Sequence, residues 1–122
     1  MERKKILLID DSLTILALER LFLCHDYDVT SSQDGRAGLD KARVERPDLI
    51  LLDLVMPGMS GLRVCRTLRS EDATRRTPII MLSSHTELQC VKAGYQSGCS
   101  AYLAKPVNGP QLLDVIKRCL GE

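Results

Sequence analysis

Two runs in this chain, "LILL" at residues 49–52 and "IIML" at 79–82, are apolar at every position. A strand with one solvated face would alternate with polar residues. Unbroken runs of this length mark strands covered on both faces, as in parallel sheets. Parallel strands need long crossovers, usually helices, and the chain supplies them. Five strand-like runs, at 6–9, 29–31, 49–52, 79–82 and 101–104, alternate with five stretches of helical period, at 12–25, 35–45, 61–70, 86–96 and 109–120. Ser12, Asp34-Gly35, Ser60-Gly61 and Asn108 stand where helices would start, as caps and turns. Pro47, Pro57, Pro78, Pro106 and Pro110 all fall at boundaries. Five βα units in series predict right-handed crossovers and a doubly wound α/β sheet. With no internal repeat or linker, we expect a single domain over 1–122, closed by the fifth helix.

Composition narrows the function classes. Net charge is +1, so no overall field draws the chain to nucleic acid or anionic lipid. Phe22, Tyr27, Tyr95 and Tyr102 are the whole aromatic complement, too few for a base-stacking surface. No apolar run approaches a membrane span, and the acids of "MERKKILLIDDS" interrupt the apolar run too soon for a signal peptide. Cys24, Cys65, Cys90, Cys99 and Cys119 form no CxxC pair and read as buried or half-buried thiols of a reducing cytoplasm. GxGxxG and Walker loops are both absent.

In open α/β sheets, ligands bind beyond the carboxyl ends of the strands. Here the first strand delivers Asp10 and Asp11, the third Asp53, the fourth Ser83 and Ser84, and the fifth Lys105. Two charges about 4 Å apart repel by roughly 4 kcal/mol at an effective dielectric near 20, so adjacent carboxylates call for a counter-charge. Three clustered carboxylates with an open shell suit Mg²⁺ better than Ca²⁺. Lys105 adds a compact positive charge, and Ser83 a hydroxyl donor. The set reads as metal-assisted phosphoryl transfer to a carboxylate.

Four motifs, "LLIDDS", "LLDLVMPGMSG", "PIIMLSS" and "GCSAYLAKPV", resemble in order and spacing those of the receiver domain of two-component response regulators. The likeness covers essentially the whole chain and implies a flavodoxin-like fold of strand order 2-1-3-4-5. It implies that Asp53 accepts a phosphoryl group from a sensor histidine kinase or histidine phosphotransfer protein. Asp10, Asp11, Asp53 and the Val55 backbone carbonyl would bind Mg²⁺, or Mn²⁺ in its place. Ser83, the Ser84 backbone and Lys105 would contact the phosphoryl group, and Tyr102 would swing inward with Ser83. The Lys105–Pro106 peptide bond would be cis. The domain would catalyse only its own phosphorylation and dephosphorylation, in the cytoplasm, without direct nucleic-acid or membrane binding. Its output would be a change of partner, a downstream protein or fused output domain. A phosphorylation-dependent dimer through the fourth helix, fifth strand and fifth helix is part of the same expectation.

Val55 and His85 occupy the positions that tune phosphoryl lifetime in that family. Val55 offers no polar atom to orient water, which predicts slow dephosphorylation; His85 either reaches the phosphate or is an ordinary surface residue. In the first helix, Ile15, Leu18 and Phe22 suit the core at helical spacing. Leu13 and Leu16 then form either a docking patch for phosphodonors or the edge of a wide buried stripe. The Arg63, Arg66 and Arg69 stripe reads as a solvated face. Two rival readings are a receiver-like interaction module that is not phosphorylated and a Mg²⁺-dependent phosphatase acting on soluble substrates. The complete residue set disfavours the first. The lack of a further acid/base pair or cap domain disfavours the second.

Overall fold

Parallel pairing brings the carboxyl end of every strand to one edge of the sheet, and that edge is where the chemistry collects. The computed structural model describes residues 3–122. In it β1 (Lys5–Ile9), β2 (Asp28–Ser32), β3 (Leu49–Asp53), β4 (Ile79–Ser83) and β5 (Ala101–Ala104) form one parallel sheet in the order β2-β1-β3-β4-β5. Helices α1 (Leu13–Leu23), α2 (Gly35–Glu45), α3 (Gly61–Ser70), α4 (Leu88–Ser97) and α5 (Gly109–Leu120) are the crossovers. Fold and strand order match the sequence expectation. No helix among the described residues is long and apolar enough to cross a membrane.

Period-2 alternation divides the core into two layers. Leu7, Ile9, Ile50, Leu52, Ile79 and Met81 pack on one face with residues of α2 and α3, among them Leu39, Ala42, Val64 and Leu68. Ile6, Leu8, Leu49, Leu51, Ile80 and Leu82 pack on the other with Leu16, Leu23, Leu112 and Ile116 of α1 and α5. Each fully buried aliphatic side chain contributes about 1.5–3 kcal/mol. That is why β1, β3 and β4 need no polar face. The edge strands differ: β2 and β5 remain half-buried along most of their length.

Side-chain caps fix four helix starts. Ser12 accepts from the Ile15 N–H, Asp34 from Ala37, Ser60 from Arg63 and Asn108 from Gln111. Helix α4 lacks such a cap. It begins at Leu88 rather than at residue 86, and its N-cap residue, Glu87, makes no side-chain capping hydrogen bond.

Three sequence readings need correction. The buried stripe of α1 is Leu16, Glu19 and Leu23, with Ile15, Leu18 and Phe22 only half-buried, so Leu16 is not an exposed patch residue. Arg69 is not solvated with Arg63 and Arg66. Its guanidinium donates to the Gly98 carbonyl at 2.8 Å and the Thr77 carbonyl at 2.6 Å, tying α3 to the approach to β4 and the end of α4. Cys24 is exposed, because it follows the last buried turn of α1.

Candidate functional site

Strand register sets the geometry. Ile9 pairs with Leu52, Asp53 with Leu82, and Ser83 with Ala104, so β1, β3, β4 and β5 end nearly level. Asp10 and Asp53 therefore emerge side by side, and Ser83 and Lys105 arrive from the neighbouring strands. One carboxylate oxygen from each of Asp10, Asp11 and Asp53 lies within 4.8 Å of the other two. Asp10 and Asp53 are buried, while Asp11 faces solvent. Such an oxygen-only, half-open donor set fits a hard divalent cation.

Lys105 holds the cluster together. Its ammonium donates to Asp10 Oδ2 at 2.9 Å and Asp53 Oδ1 at 3.0 Å. The second oxygen of Asp10 accepts the Ser12 N–H at 2.9 Å. Burial works against the Lys105 charge, but the hydrogen bonds to Asp10 and Asp53 outweigh it and hold its pKa above the ordinary lysine value. Burial, supported by the charge of Asp10, raises the Asp53 carboxyl despite the Lys105 hydrogen bond. The Lys105–Pro106 peptide bond is cis.

The loop after β3 is anchored by close backbone contact. The Gly61 N–H donates to the Leu54 carbonyl at 2.8 Å, and a Cβ at Gly61 would lie 2.2 Å from the Asp53 carbonyl oxygen. Only glycine allows α3 to start this near the end of β3. Val55, in that loop, is 58% exposed.

Ser83 is buried, and its Oγ accepts the His85 N–H at 2.9 Å. Ser84 and His85 are exposed, and the His85 ring lies 3.8 Å from the Glu87 carboxylate. The Tyr102 hydroxyl donates to the His85 carbonyl at 2.5 Å. Burial pushes the Tyr102 phenol up, and the adjacent Ser83 hydroxyl pulls it down. Asp10, Asp53 and Lys105 thus meet directly, and Ser83, His85 and Tyr102 form a linked group beside them. Leu13 stands apart on α1, 67% exposed, beside a groove that Leu16, Ala17 and Leu21 also line.

The ring of Tyr102 rests on Gly94, where a Cβ would come within 2.8 Å of it. Gly94→Ala therefore sets two effects against each other. Alanine gains about 1 kcal/mol of helix propensity, and overpacking costs about 1–3 kcal/mol. Turning the ring outward relieves the clash, so stability is expected to change little while Tyr102 becomes accessible. Faster nitration of Tyr102 by tetranitromethane checks this; an unchanged rate contradicts it.

Sequence reasoning missed Glu19. This residue is 1% exposed on the inward face of α1. Burial foremost, then the charge of Asp10, raise its carboxyl to about 8, with Lys105 opposing. The spacing did not single it out: Glu19 shares a face with Leu16 and Leu23, but in so apolar a helix other stripes fit equally well.

Comparison with known proteins agrees with this geometry. A family model described as "Response regulator receiver domain" matches residues 6–117. The polar-differentiation response regulator DivK of Brucella anthropi is 33% identical over 120 residues, 98% of each chain. The DNA-binding response regulator MtrA of Mycobacterium tuberculosis is 37% identical over 112 residues; the match spans 91% of this chain and 48% of MtrA. Among solved structures, the chemotaxis response regulator CheY4 of Vibrio cholerae superposes with a TM-score of 0.91 at 34% identity, covering 97% of this chain and 99% of CheY4. The receiver domain of a Pseudomonas aeruginosa sensor histidine kinase, with a magnesium ion coordinated in its active-site cleft, gives 0.91 at 30% identity, covering 98% and 99%.

Proposed function

The chain belongs to the response regulator receiver domain family, and from that premise we propose that it is a phosphorylation-controlled switch whose acceptor is Asp53. The supporting observation is the Lys105 ammonium between Asp10 and Asp53, at 2.9 and 3.0 Å. Both Asp10 oxygens already accept hydrogen bonds, one from Ser12 and one from Lys105. Asp53 ends the central strand β3, between β1, which leads into Asp10 and Asp11, and β4, which ends in Ser83, and that place favours it as the nucleophile.

In this reading a carboxylate oxygen of Asp53 attacks the phosphorus of the donor. The bond from phosphorus to the donor's nitrogen or oxygen breaks, and the leaving group departs with the electron pair. Asp10, Asp11, Asp53 and the Val55 carbonyl would hold Mg²⁺ or Mn²⁺, which when bound would neutralise charge on the phosphoryl oxygens. Lys105 donates to one of those oxygens, as do Ser83 and the Ser84 N–H. Ser83 is bonded through the His85 N–H, and Tyr102 through the His85 carbonyl, so a move by Ser83 would be felt at Tyr102 and along α4.

The phosphodonor would be a histidine kinase or phosphotransfer protein, in the cytoplasm, docking where Leu13 is exposed and Leu16 forms the floor of the groove. A downstream partner or second copy would read the α4–β5–α5 face. Val55 leaves no polar group to position water, consistent with a long-lived acyl phosphate. The domain would turn over only its own phosphoryl group.

Incubation with acetyl phosphate and Mg²⁺, followed by intact-mass measurement, tests the reading. One phosphoryl group per chain, dependent on Mg²⁺, is expected. No mass gain would favour the unphosphorylated module, and repeated turnover of a phosphomonoester would favour the phosphatase.

A further inference from the structure

Among the described residues, Glu19 Oε2 is the one buried side-chain nitrogen or oxygen without a hydrogen-bond partner. The nearby charges that act on its carboxyl are those of Asp10, Lys105 and Asp53. Lys105 has a matching vacancy. An ammonium carries three donors, and the two hydrogen bonds of Lys105 go to Asp10 and Asp53. An unpaired buried oxygen on Glu19 therefore stands within the electrostatic reach of a part-buried ammonium, 17% exposed, that has one donor to spare.

Both partners of Lys105 belong to the oxygen cluster that suits a cation. A divalent cation and the ammonium compete for the same carboxylates and repel each other. Extending the receiver reading, on which it rests, we propose that Glu19 is a positioning residue for Lys105, a reserve anchor that takes the ammonium when a divalent cation occupies Asp10, Asp11 and Asp53. Glu19 itself is outside that ligand cluster. It acts through the lysine: a partner beside the site keeps a part-buried positive charge from being stranded when the cation arrives. The same partner keeps Lys105 within reach of a phosphoryl group on Asp53.

Calorimetric titration with Mg²⁺ alone tests this on the wild type, Glu19→Gln and Glu19→Leu, each with and without Lys105→Ala. Losing one hydrogen-bond partner for the lysine is expected to weaken Mg²⁺ binding about fivefold in Glu19→Leu. Glu19→Gln, whose amide oxygen still accepts an ammonium N–H, should recover part of that loss. With Lys105→Ala present, neither Glu19 variant should alter Mg²⁺ affinity further. Glu19→Leu should also melt higher than wild type without metal, a pattern that poor folding cannot produce. Unchanged affinity in Glu19→Leu overturns the proposal, as does a loss that persists alongside Lys105→Ala. A wild type that binds no Mg²⁺ overturns the cation site as well, so the two failures are distinguishable.

Discussion

Asp53→Asn is expected to lower labelling by acetyl phosphate at least about 100-fold, because a neutral amide is not a nucleophile toward phosphorus. The same substitution should stabilise the metal-free protein. Burial, then the charge of Asp10, raise the Asp53 carboxyl even though Lys105 donates to it. A net raised value means that the ionised form is less favourable in the folded chain than in the unfolded one. Removing that charge relieves crowding with Asp10 and Asp11, and the amide oxygen still accepts from Lys105. A higher unfolding free energy than wild type is expected in urea titrations with chelator present. Lower stability would mean that the ion pair with Lys105 outweighs the repulsion.

Glu19→Gln is expected to remove much of the chain's loss of stability between about pH 4.5 and pH 8. The Glu19 carboxyl is raised to about 8 from 4.5, by burial first and then by Asp10. Between those values the folded chain keeps a proton that the unfolded chain has released. Stability then falls by about 1.4 kcal/mol per pH unit as pH rises, and the loss is complete once pH passes the folded value. Across the window this is on the order of 4 kcal/mol, a large part of a domain's ordinary stability. Asp53 contributes in the same direction, so the wild-type slope is not due to Glu19 alone. The discriminating quantity is the difference between wild type and Glu19→Gln in metal-free unfolding titrations at several pH values. Parallel pH profiles would show that Glu19 does not carry the raised value.

The central strands were legible because unbroken apolar runs permit few alternatives. The level alignment of Asp10, Asp53, Ser83 and Lys105 followed from parallel strand order. The phase of α1 was not legible. "LTILALERLFL" is apolar at most positions, so several stripes fit, and a charged residue at the centre of the buried one pointed reasoning elsewhere. Arg69 was misread for a related reason: its partners are backbone carbonyls of Thr77 and Gly98, which leave no mark in the sequence. The Lys105 bridge lay between these cases. Its charge and its place at the end of β5 could be read, but not that one ammonium would span two carboxylates from β1 and β3.

The central claim is that Asp53, not its acidic neighbours, receives the phosphoryl group. Borohydride reduces an acyl phosphate to an alcohol and so turns a phosphorylated aspartate into homoserine. After treatment with acetyl phosphate, Mg²⁺ and then borohydride, peptide mass spectrometry should find homoserine at position 53 alone. Homoserine at Asp10 or Asp11, or none anywhere in a chain that had gained phosphoryl mass, would contradict the account.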